Sequence, residues 1–255
     1  MAASVMPVDW LVPDWPAPPG VRAVCTTRAG GMSLPPYQGL NLGSHVGDCR
    51  ETVMTNRSML QDVLGCRPVF LEQVHGVQGL SIDENTSDGL RADFSIASRP
   101  GVACTTMVAD CLPILFATRC GTRVAAAHAG WRGLAAGVLE EALNRLAIEH
   151  ASPPMVWLGP CIGAQAFEVG DDVKDAFESQ GVSLSDCFRT TGTTGKWWAD
   201  LARLARRRLH MAGVESIHGN DSSPAWCTAS NPLRFFSHRR DGVSGRFAAC
   251  IWIAP

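Results

Sequence analysis

The chain has 255 residues, of which 46% are hydrophobic and 18% charged, so it is long and apolar enough to bury a core and is not a disordered tail. Its 22 basic and 24 acidic residues give a formal net charge of −2, which leaves no basic footprint for nucleic acid beyond the run Arg206-Arg207-Arg208. The N-terminus is broken by prolines and has no basic residue before Arg22. Neither a targeting segment nor a membrane-spanning run is evident, so we expect a cytoplasmic monomer without nucleic-acid or membrane partners.

Four segments have the apolar periodicity of amphipathic helices. Glycine follows the first, third and fourth of them, as expected at helix C-termini. The longest has an apolar stripe of leucines and a favourable pair of Glu141 with Arg145. The predicted helices are 51–64, 131–148, 171–180 and 199–212.

Short apolar runs between these helices have the character of strands. Two of them, near 113 and 123, are close enough to form a hairpin. Strands and helices are mixed without regular alternation, which favours an α+β fold over a doubly wound sheet. No shift in composition marks a boundary, so we predict one domain over 1–255, with 1–20 as a lead-in. The predicted strands are Val21–Thr26, Val69–Leu71, Val102–Val108, Pro113–Thr118, Arg123–Ala127, Met155–Leu158, Phe235–Ser237 and Phe247–Ile253.

His128 ends a strand of small residues and is followed by a glycine turn and the longest predicted helix. Gly130 and Gly133 imply that backbone segments approach each other closely there. The start of the helix would favour an anion beside the histidine. The alternative is a core histidine with one ring nitrogen bonded to the backbone, and the two interpretations are about equally supported.

Cys111 follows Asp110 in an otherwise apolar run. A carboxylate in such a run is costly unless it is paired or lies in a cleft, which would bring Cys111 into the same cleft. The alternative is that Asp110 caps a turn and Cys111 only fills space. In a reducing compartment most of the ten cysteines are expected to be small buried hydrophobes.

His75 ends a short strand and precedes a glycine, which by itself is weak support for a functional role. With Cys111 and His128 it offers two nitrogens and one sulfur, as in a catalytic zinc site with one open position. The long spacings match no compact zinc motif. A thiolate beside a histidine would equally suit nucleophilic catalysis, so the residues alone leave both chemistries open.

Two arginine-containing loops are candidates for the same cleft. Arg28 follows a strand beside two glycines, with Asn41 in the next loop, and Arg239 and Arg240 precede the last strand. Such arginines suit phosphate or carboxylate groups. Solvated turns with surface ion pairs are the alternative for each. We predict substrate contacts from Arg28 and Asn41, and from Gln73 in the segment before His75.

Several motifs in order resemble the YfiH-type laccase-domain family, also called the polyphenol oxidase or peptidoglycan editing factor family. The resemblance covers the chain after about residue 20. Within 88–93, Asp93 is the residue we favour for the acidic position of the family motif. His238 stands where the family usually has tyrosine. The motifs are LEQVHG at 71–76, ADCLPILF at 109–116, AAAHAGWRGLAAG at 125–137, WLGPCIG at 157–163, Asp200-Leu201 and FFSHRRDGVSGRF at 235–247.

The resemblance implies a single α+β domain in which two sheets are packed between helices, in four layers. It also implies that His75, Cys111 and His128 are metal ligands. The family is linked to zinc-dependent phosphorolysis of adenosine, inosine and methylthioadenosine and to deamination of adenosine. Copper-dependent phenol oxidation and correction of peptidoglycan precursors are further activities attached to it.

We therefore expect a zinc-dependent purine nucleoside phosphorylase with adenosine deaminase activity, in which Arg28 and the helix after Gly130 hold phosphate. The first alternative is a copper phenol oxidase. A multicopper site needs many histidines, commonly as His-X-His pairs, and the seven histidines of this chain include no such pair, so this alternative is less favoured. The second is a cysteine hydrolase with Cys111 as nucleophile and His128 as base. The third is a metal-stabilised interaction module, which would need a fourth protein ligand such as Cys161 or Cys227.

Overall fold

The computed structural model describes residues 7–147, 153–179 and 184–255. None of the helices in these ranges has the length and apolar character that a membrane span requires. The helices are α1 (Arg50–Leu64), α2 (Trp131–Ala136), α3 (Val138–Ala147), α4 (Asp171–Glu178), α5 (Leu201–Met211) and α6 (His238–Asp241).

Two β-sheets form the centre of the molecule. The four-stranded sheet has the order β1-β13-β5-β2, and the six-stranded sheet has the order β12-β8-β6-β7-β4-β3. A separate three-stranded sheet has the order β10-β11-β9. The strands are β1 (Val21–Cys25), β2 (Arg67–Phe70), β3 (Gly79–Ser81), β4 (Phe94–Ala97), β5 (Val102–Val108), β6 (Leu112–Ala117), β7 (Val124–Ala129), β8 (Met155–Leu158), β9 (Glu168–Gly170), β10 (Phe188–Thr190), β11 (Lys196–Ala199), β12 (Ile217–Gly219) and β13 (Phe247–Ile253).

Side chains from the facing sides of the two large sheets form the central core. In β7, Val124 and Ala126 point into this core, whereas Ala125 and Ala127 point to the helices on the other side. Both faces of these strands are buried, which explains why the strands are apolar throughout instead of alternating with polar residues.

Helices cover the outer face of each large sheet. Leu60 and Leu64 of α1 pack against the four-stranded sheet, and Leu139 and Leu143 of α3 pack against the six-stranded sheet. The resulting order is helix, sheet, sheet, helix. This confirms the predicted α+β class and its four-layer arrangement.

The hairpin predicted near 113 and 123 is confirmed, because β6 and β7 pair antiparallel. Strands β5, β8 and β13 have the predicted bounds. The lead-in is in contact with the fold, since Trp10 is buried and Leu11 forms a β-bridge with Cys25.

The single helix predicted over 131–148 is wrong. Gly137 has φ 101°, a left-handed conformation that ends α2 and separates it from α3. The predicted ends of two helices, residues 148 and 180, lie outside the described residues.

The strand predicted at Phe235–Ser237 is also wrong. Phe235 and Phe236 are buried, but Ser237 accepts a hydrogen bond from the Arg240 amide and starts α6. The short strands β3, β4 and β9–β12 were not predicted, because three or four residues give too little periodicity to recognise.

Candidate active site

Side chains of His75, Cys111 and His128 meet at one point in the structure. One donor atom from each lies within 4.8 Å of the others. The Sγ of Cys111 is 3.8 Å from Nε2 of His75, and the two imidazole rings are nearly perpendicular, with centroids 4.7 Å apart. The structure thus brings together the three residues that the sequence selected, although they are far apart along the chain.

Both large sheets contribute to this cluster. His75 follows β2 of the four-stranded sheet, and Cys111 lies where the chain passes from β5 in one sheet to β6 in the other. His128 is within β7, opposite Pro113 on the neighbouring strand. The cluster therefore lies where the ends of the two sheets meet.

A buried carboxylate, Asp93, orients both histidines. Its Oδ1 is 2.9 Å from Nδ1 of His128 and accepts a hydrogen bond of 2.8 Å from the His75 amide. The amides of Val74 and Gly76 donate to Oδ2. His75 has φ 60°, a strained conformation for a non-glycine residue, and these hydrogen bonds hold it in place.

Asp110 has a similar role beside Cys111. It has φ 99°, and its carboxylate accepts hydrogen bonds of 2.6 Å from the Thr228 hydroxyl and the Arg239 amide. The Asp110 carboxylate is therefore paired, as its apolar sequence context required. These bonds join the turn that carries Cys111 to the start of α6.

Glycines allow the helix after β7 to approach the cluster. A Cβ at Gly130 would lie 2.6 Å from Cδ2 of His75 and 3.1 Å from Sγ of Cys111. A Cβ at Gly133 would lie 2.8 Å from the Gly76 carbonyl oxygen. The close approach predicted from these glycines is confirmed. The helix that follows, α2, has only six residues, so we assign no anion site to its N-terminus.

The pKa values of two residues of the cluster, Cys111 and His128, are shifted in opposite directions. Burial alone would raise the pKa of the Cys111 thiol, but the charge and hydrogen bonds of His128 and His75 lower this pKa to about 6. Burial would lower the pKa of His128, but Cys111 and Asp93 raise it to about 9. The two groups therefore favour each other's charged form, a thiolate at Cys111 and an imidazolium at His128.

The donor set fits a metal ion. A thiolate and two imidazole nitrogens suit zinc and also copper, and three protein donors leave a position for a reactant. The bond from Nδ1 of His128 to Asp93 leaves the other ring nitrogen, Nε2, for the metal, an arrangement common among metal-bound histidines. The site-forming residues could thus hold one metal ion.

No fourth protein donor joins this group within the described residues. The suspected cysteines, Cys161 and Cys227, lie elsewhere: both are free thiols, and their backbones form an isolated β-bridge beside a separate small cavity. Of the cysteines expected to be buried hydrophobes, Cys49 and Cys120 are exposed, which corrects that expectation for these two.

The cluster opens into a cavity of about 1050 Å³. One part of its wall is apolar, with Met54, Leu71, Met107 and Val108. The rest is rich in nitrogen donors, and includes Arg50, Arg57, Arg246, His45 and His238. An apolar wall beside cationic groups suits a flat, partly polar molecule accompanied by an anion.

Two of the three predicted substrate contacts do not line this cavity. The Arg28 guanidinium donates to the carbonyl oxygens of Pro232 and Gln38. Asn41 is fully buried and accepts hydrogen bonds from the amides of Gly43 and Arg246. Both residues support loops.

Gln73 does line the cavity, but its amide is engaged. It donates to the Met107 carbonyl oxygen and accepts from the Met107 amide, both at 2.8 Å. It therefore fixes the end of β5 against the segment that carries His75.

Sequence reasoning missed Arg57, Arg246 and His45. Arg57 lies on the buried face of α1, where an arginine among apolar positions was a usable signal. Arg246 directly precedes a strand, and His45 lies in a loop, and nothing local marks either one.

The model of the family described as multi-copper polyphenol oxidoreductase laccase matches residues 22–254. A purine nucleoside phosphorylase of Pseudomonas aeruginosa is 51% identical over 244 residues, which cover 96% of this chain and 98% of the relative. The purine nucleoside phosphorylase YfiH of Escherichia coli is 48% identical over 245 residues, covering 95% and 98%. A solved protein structure from Neisseria meningitidis superposes with a TM-score of 0.90 at 44% identity and covers 97% of this chain and all of its own.

Proposed function

The chain belongs to the YfiH family of laccase-like proteins, and from that premise we propose that it is a zinc-dependent purine nucleoside phosphorylase with adenosine deaminase activity. Adenosine, inosine and methylthioadenosine are the proposed substrates, with phosphate as co-substrate. Relatives that share about half of their residues with this chain are named purine nucleoside phosphorylases. The observation that carries the proposal is a cluster of three metal donors that opens into a cavity with a cationic wall.

We assign His75, Cys111 and His128 as the metal ligands. We further assign Cys111 and His128 as the catalytic residues. Zinc, when bound, supplies Lewis-acid charge that polarises an oxygen of a reactant. Asp93 keeps Nδ1 of His128 engaged and so orients the opposite ring nitrogen towards the metal. The apolar wall around Met54 and Val108 shields the purine ring from water.

In phosphorolysis a phosphate oxygen attacks the anomeric carbon, the bond from that carbon to the purine nitrogen breaks, and the purine leaves with a proton. The other product is ribose 1-phosphate from adenosine and inosine, and 5-methylthioribose 1-phosphate from methylthioadenosine. In deamination a water oxygen adds to the ring carbon that bears the amino group, and ammonia leaves. Both reactions need one polarised oxygen nucleophile beside a purine, so one site serves both.

The test is release of adenine from adenosine by the zinc-loaded protein with phosphate present, with inosine formation followed in parallel. His75→Gln and Cys111→Ser each remove one metal donor, and we expect a loss of at least roughly 100-fold in both activities. His210→Gln, at an exposed position of α5, is the matched control and retains activity. Absence of both activities in fully metallated protein contradicts the proposal.

The lowered pKa of Cys111 and the raised pKa of His128 beside it support a second candidate, a cysteine hydrolase that cleaves an amide in a peptidoglycan precursor. A mass increase on Cys111 from a trapped acyl group is the result this candidate requires. Full activity of Cys111→Ser towards such an amide excludes a thiol nucleophile. A copper phenol oxidase has less support, because within the described residues one three-donor cluster is present.

A further inference from the structure

Two arginines of the cavity wall, Arg246 and Arg50, have no carboxylate partner within the described part of the chain, and of these Arg50 is exposed at the start of α1 whereas Arg246 is half-buried. Arg57 pairs with Asp88 at 3.3 Å, and Asp88 also pairs with Arg67. Glu72, the other carboxylate of the cavity wall, pairs with Arg91. The acidic groups of the wall are therefore already neutralised, and the charges of Arg246 and Arg50 have no partner among them.

The hydrogen bonds of Arg246 leave most of its donors available. Its Nη1 donates to the carbonyl oxygens of Ser244 and Gly245, which fixes the guanidinium against its own loop. Among the described residues, Nε and Nη2 have no protein acceptor. A guanidinium fixed on one side with donors available on the other is suited to binding an oxyanion through two bonds.

Packing fixes the side chain as well. A Cβ at Gly43 would lie 2.7 Å from Cγ of Arg246, so the methylene groups pass directly over that glycine. The Arg246 amide donates to Asn41 at 2.8 Å. The buried Asn41, predicted as a substrate contact, thus acts through Arg246 by holding its backbone.

Arg246 is close to the metal cluster. The negative charges that act on it most strongly are those of Cys111 and Asp110, and the Asp110 carboxylate is already bonded to Thr228 and Arg239. His45 lines the same cavity, and its pKa is lowered by burial and by the charges of Arg246 and Arg57. The cavity wall holds three arginines against two carboxylates that are already paired, so it has an excess of positive charge, which a bound anion would relieve.

We propose that Arg246, with His45 beside it, binds the phosphate group that reacts at this site, and that this group is inorganic phosphate, the co-substrate of phosphorolysis. The choice of phosphate as the anion rests on the proposed function, whereas the anion site rests on the geometry. Arg246 replaces Arg28 as the phosphate-binding arginine, because Arg28 does not line the cavity.

The test is calorimetric titration of the zinc-loaded protein with inorganic phosphate, without nucleoside. We expect Arg246→Gln to weaken phosphate binding roughly 10- to 100-fold, since a charge-assisted pair of hydrogen bonds is lost. Arg246→Lys keeps the charge but loses the fork and has an intermediate effect. His45→Gln, which leaves the arginine's loop intact, has a smaller effect in the same direction.

Arg99→Gln is the matched control, because it removes the same charge from an exposed turn before β5, at the end opposite to the cavity. Its phosphate affinity is unchanged. Thermal unfolding and zinc content show that each variant is folded and metallated. Kinetic assays add a second readout: in Arg246→Gln the KM for phosphate rises far more than the KM for adenosine.

Two results overturn the inference. The first is a phosphate affinity that is equal in the wild-type protein and Arg246→Gln, or absent in both. The second is a loss in Arg246→Gln of affinity for adenosine 5′-monophosphate but not for inorganic phosphate, which would mean that the site takes a phosphate ester. Failure of the proposed function is separate, because it appears as a lack of purine release and leaves the phosphate titration unaffected.

Discussion

Asp93 is the residue on which the geometry of the candidate metal centre most depends. Its side chain is completely buried, and it contacts the two histidines from one position between them. Burial alone would raise its pKa, but hydrogen bonds from His128 and from the amides of Gly76 and His75 lower it. It therefore stays a carboxylate, and its negative charge increases the basicity of His128 as a ligand.

Asp93→Asn tests this role. The amide keeps the size of the side chain but cannot accept all four hydrogen bonds, so we expect zinc affinity to fall roughly 10- to 100-fold. Competition with a chromophoric chelator measures the affinity. Asp62→Asn, at an exposed position of α1, is the control. An unchanged zinc affinity in Asp93→Asn, with the protein folded, would show that His128 is oriented by its other contacts.

At the scale of elements, the break between α2 and α3 separates the short helix beside the candidate site from the helix that covers the six-stranded sheet. Gly137 donates its amide to carbonyls of Gly133 and Leu134 and turns the chain through a left-handed conformation. Gly133 then lies against the loop that carries His75, while α3 packs on the six-stranded sheet.

Gly137→Ala measures the cost of this break. A Cβ at Gly137 has no atom closer than 3.6 Å, so the change is not a steric clash. The left-handed conformation costs an alanine about 1–2 kcal/mol of stability, which denaturant unfolding would detect. Gly20→Ala, where φ is not positive and nothing lies within 4 Å, should be close to neutral. Equal stabilities for the two variants would contradict this explanation.

At the scale of the whole molecule, the cluster connects the two large sheets. Its members come from the segment after β2, the passage from β5 to β6, and β7. A metal ion held by all three would therefore tie one sheet to the other, in addition to the apolar core between them. Because the unfolded chain does not present this site, metal binding stabilises the folded state.

Removal of zinc should lower the midpoint of thermal unfolding. At zinc concentrations near 100 times the Kd, the linkage is about 2.7 kcal/mol, or roughly 5–10 °C for a chain of this size. Scanning calorimetry with and without a chelator measures it. His75→Gln lacks one donor, so its midpoint should respond little to the chelator. An equal response in both proteins would place the stabilising metal elsewhere.

The sequence predicted the strands of this fold well where apolar runs were unbroken, whereas the strong helical periodicity of 131–148 did not reveal the break at Gly137. Strands 102–108, 155–158 and 247–253 have the predicted bounds because both faces are buried and the apolar runs are unbroken. It failed at Phe235–Ser237, where apolar side chains are buried by a loop. In the sequence, a buried loop and a buried strand both appear as a short run of apolar residues.

The sequence by itself identified the family and the α+β class, and through the family motifs it selected His75, Cys111 and His128 as candidate metal ligands, because motifs are local properties of the chain. The tertiary structure decided the surroundings of that trio. It placed Arg28 and Asn41 in loop support and brought Arg246 and His45 to the cavity. Which arginines of the cavity pair with a carboxylate depends on residues far apart in the chain, such as Arg57 and Asp88, and only the folded chain brings these together.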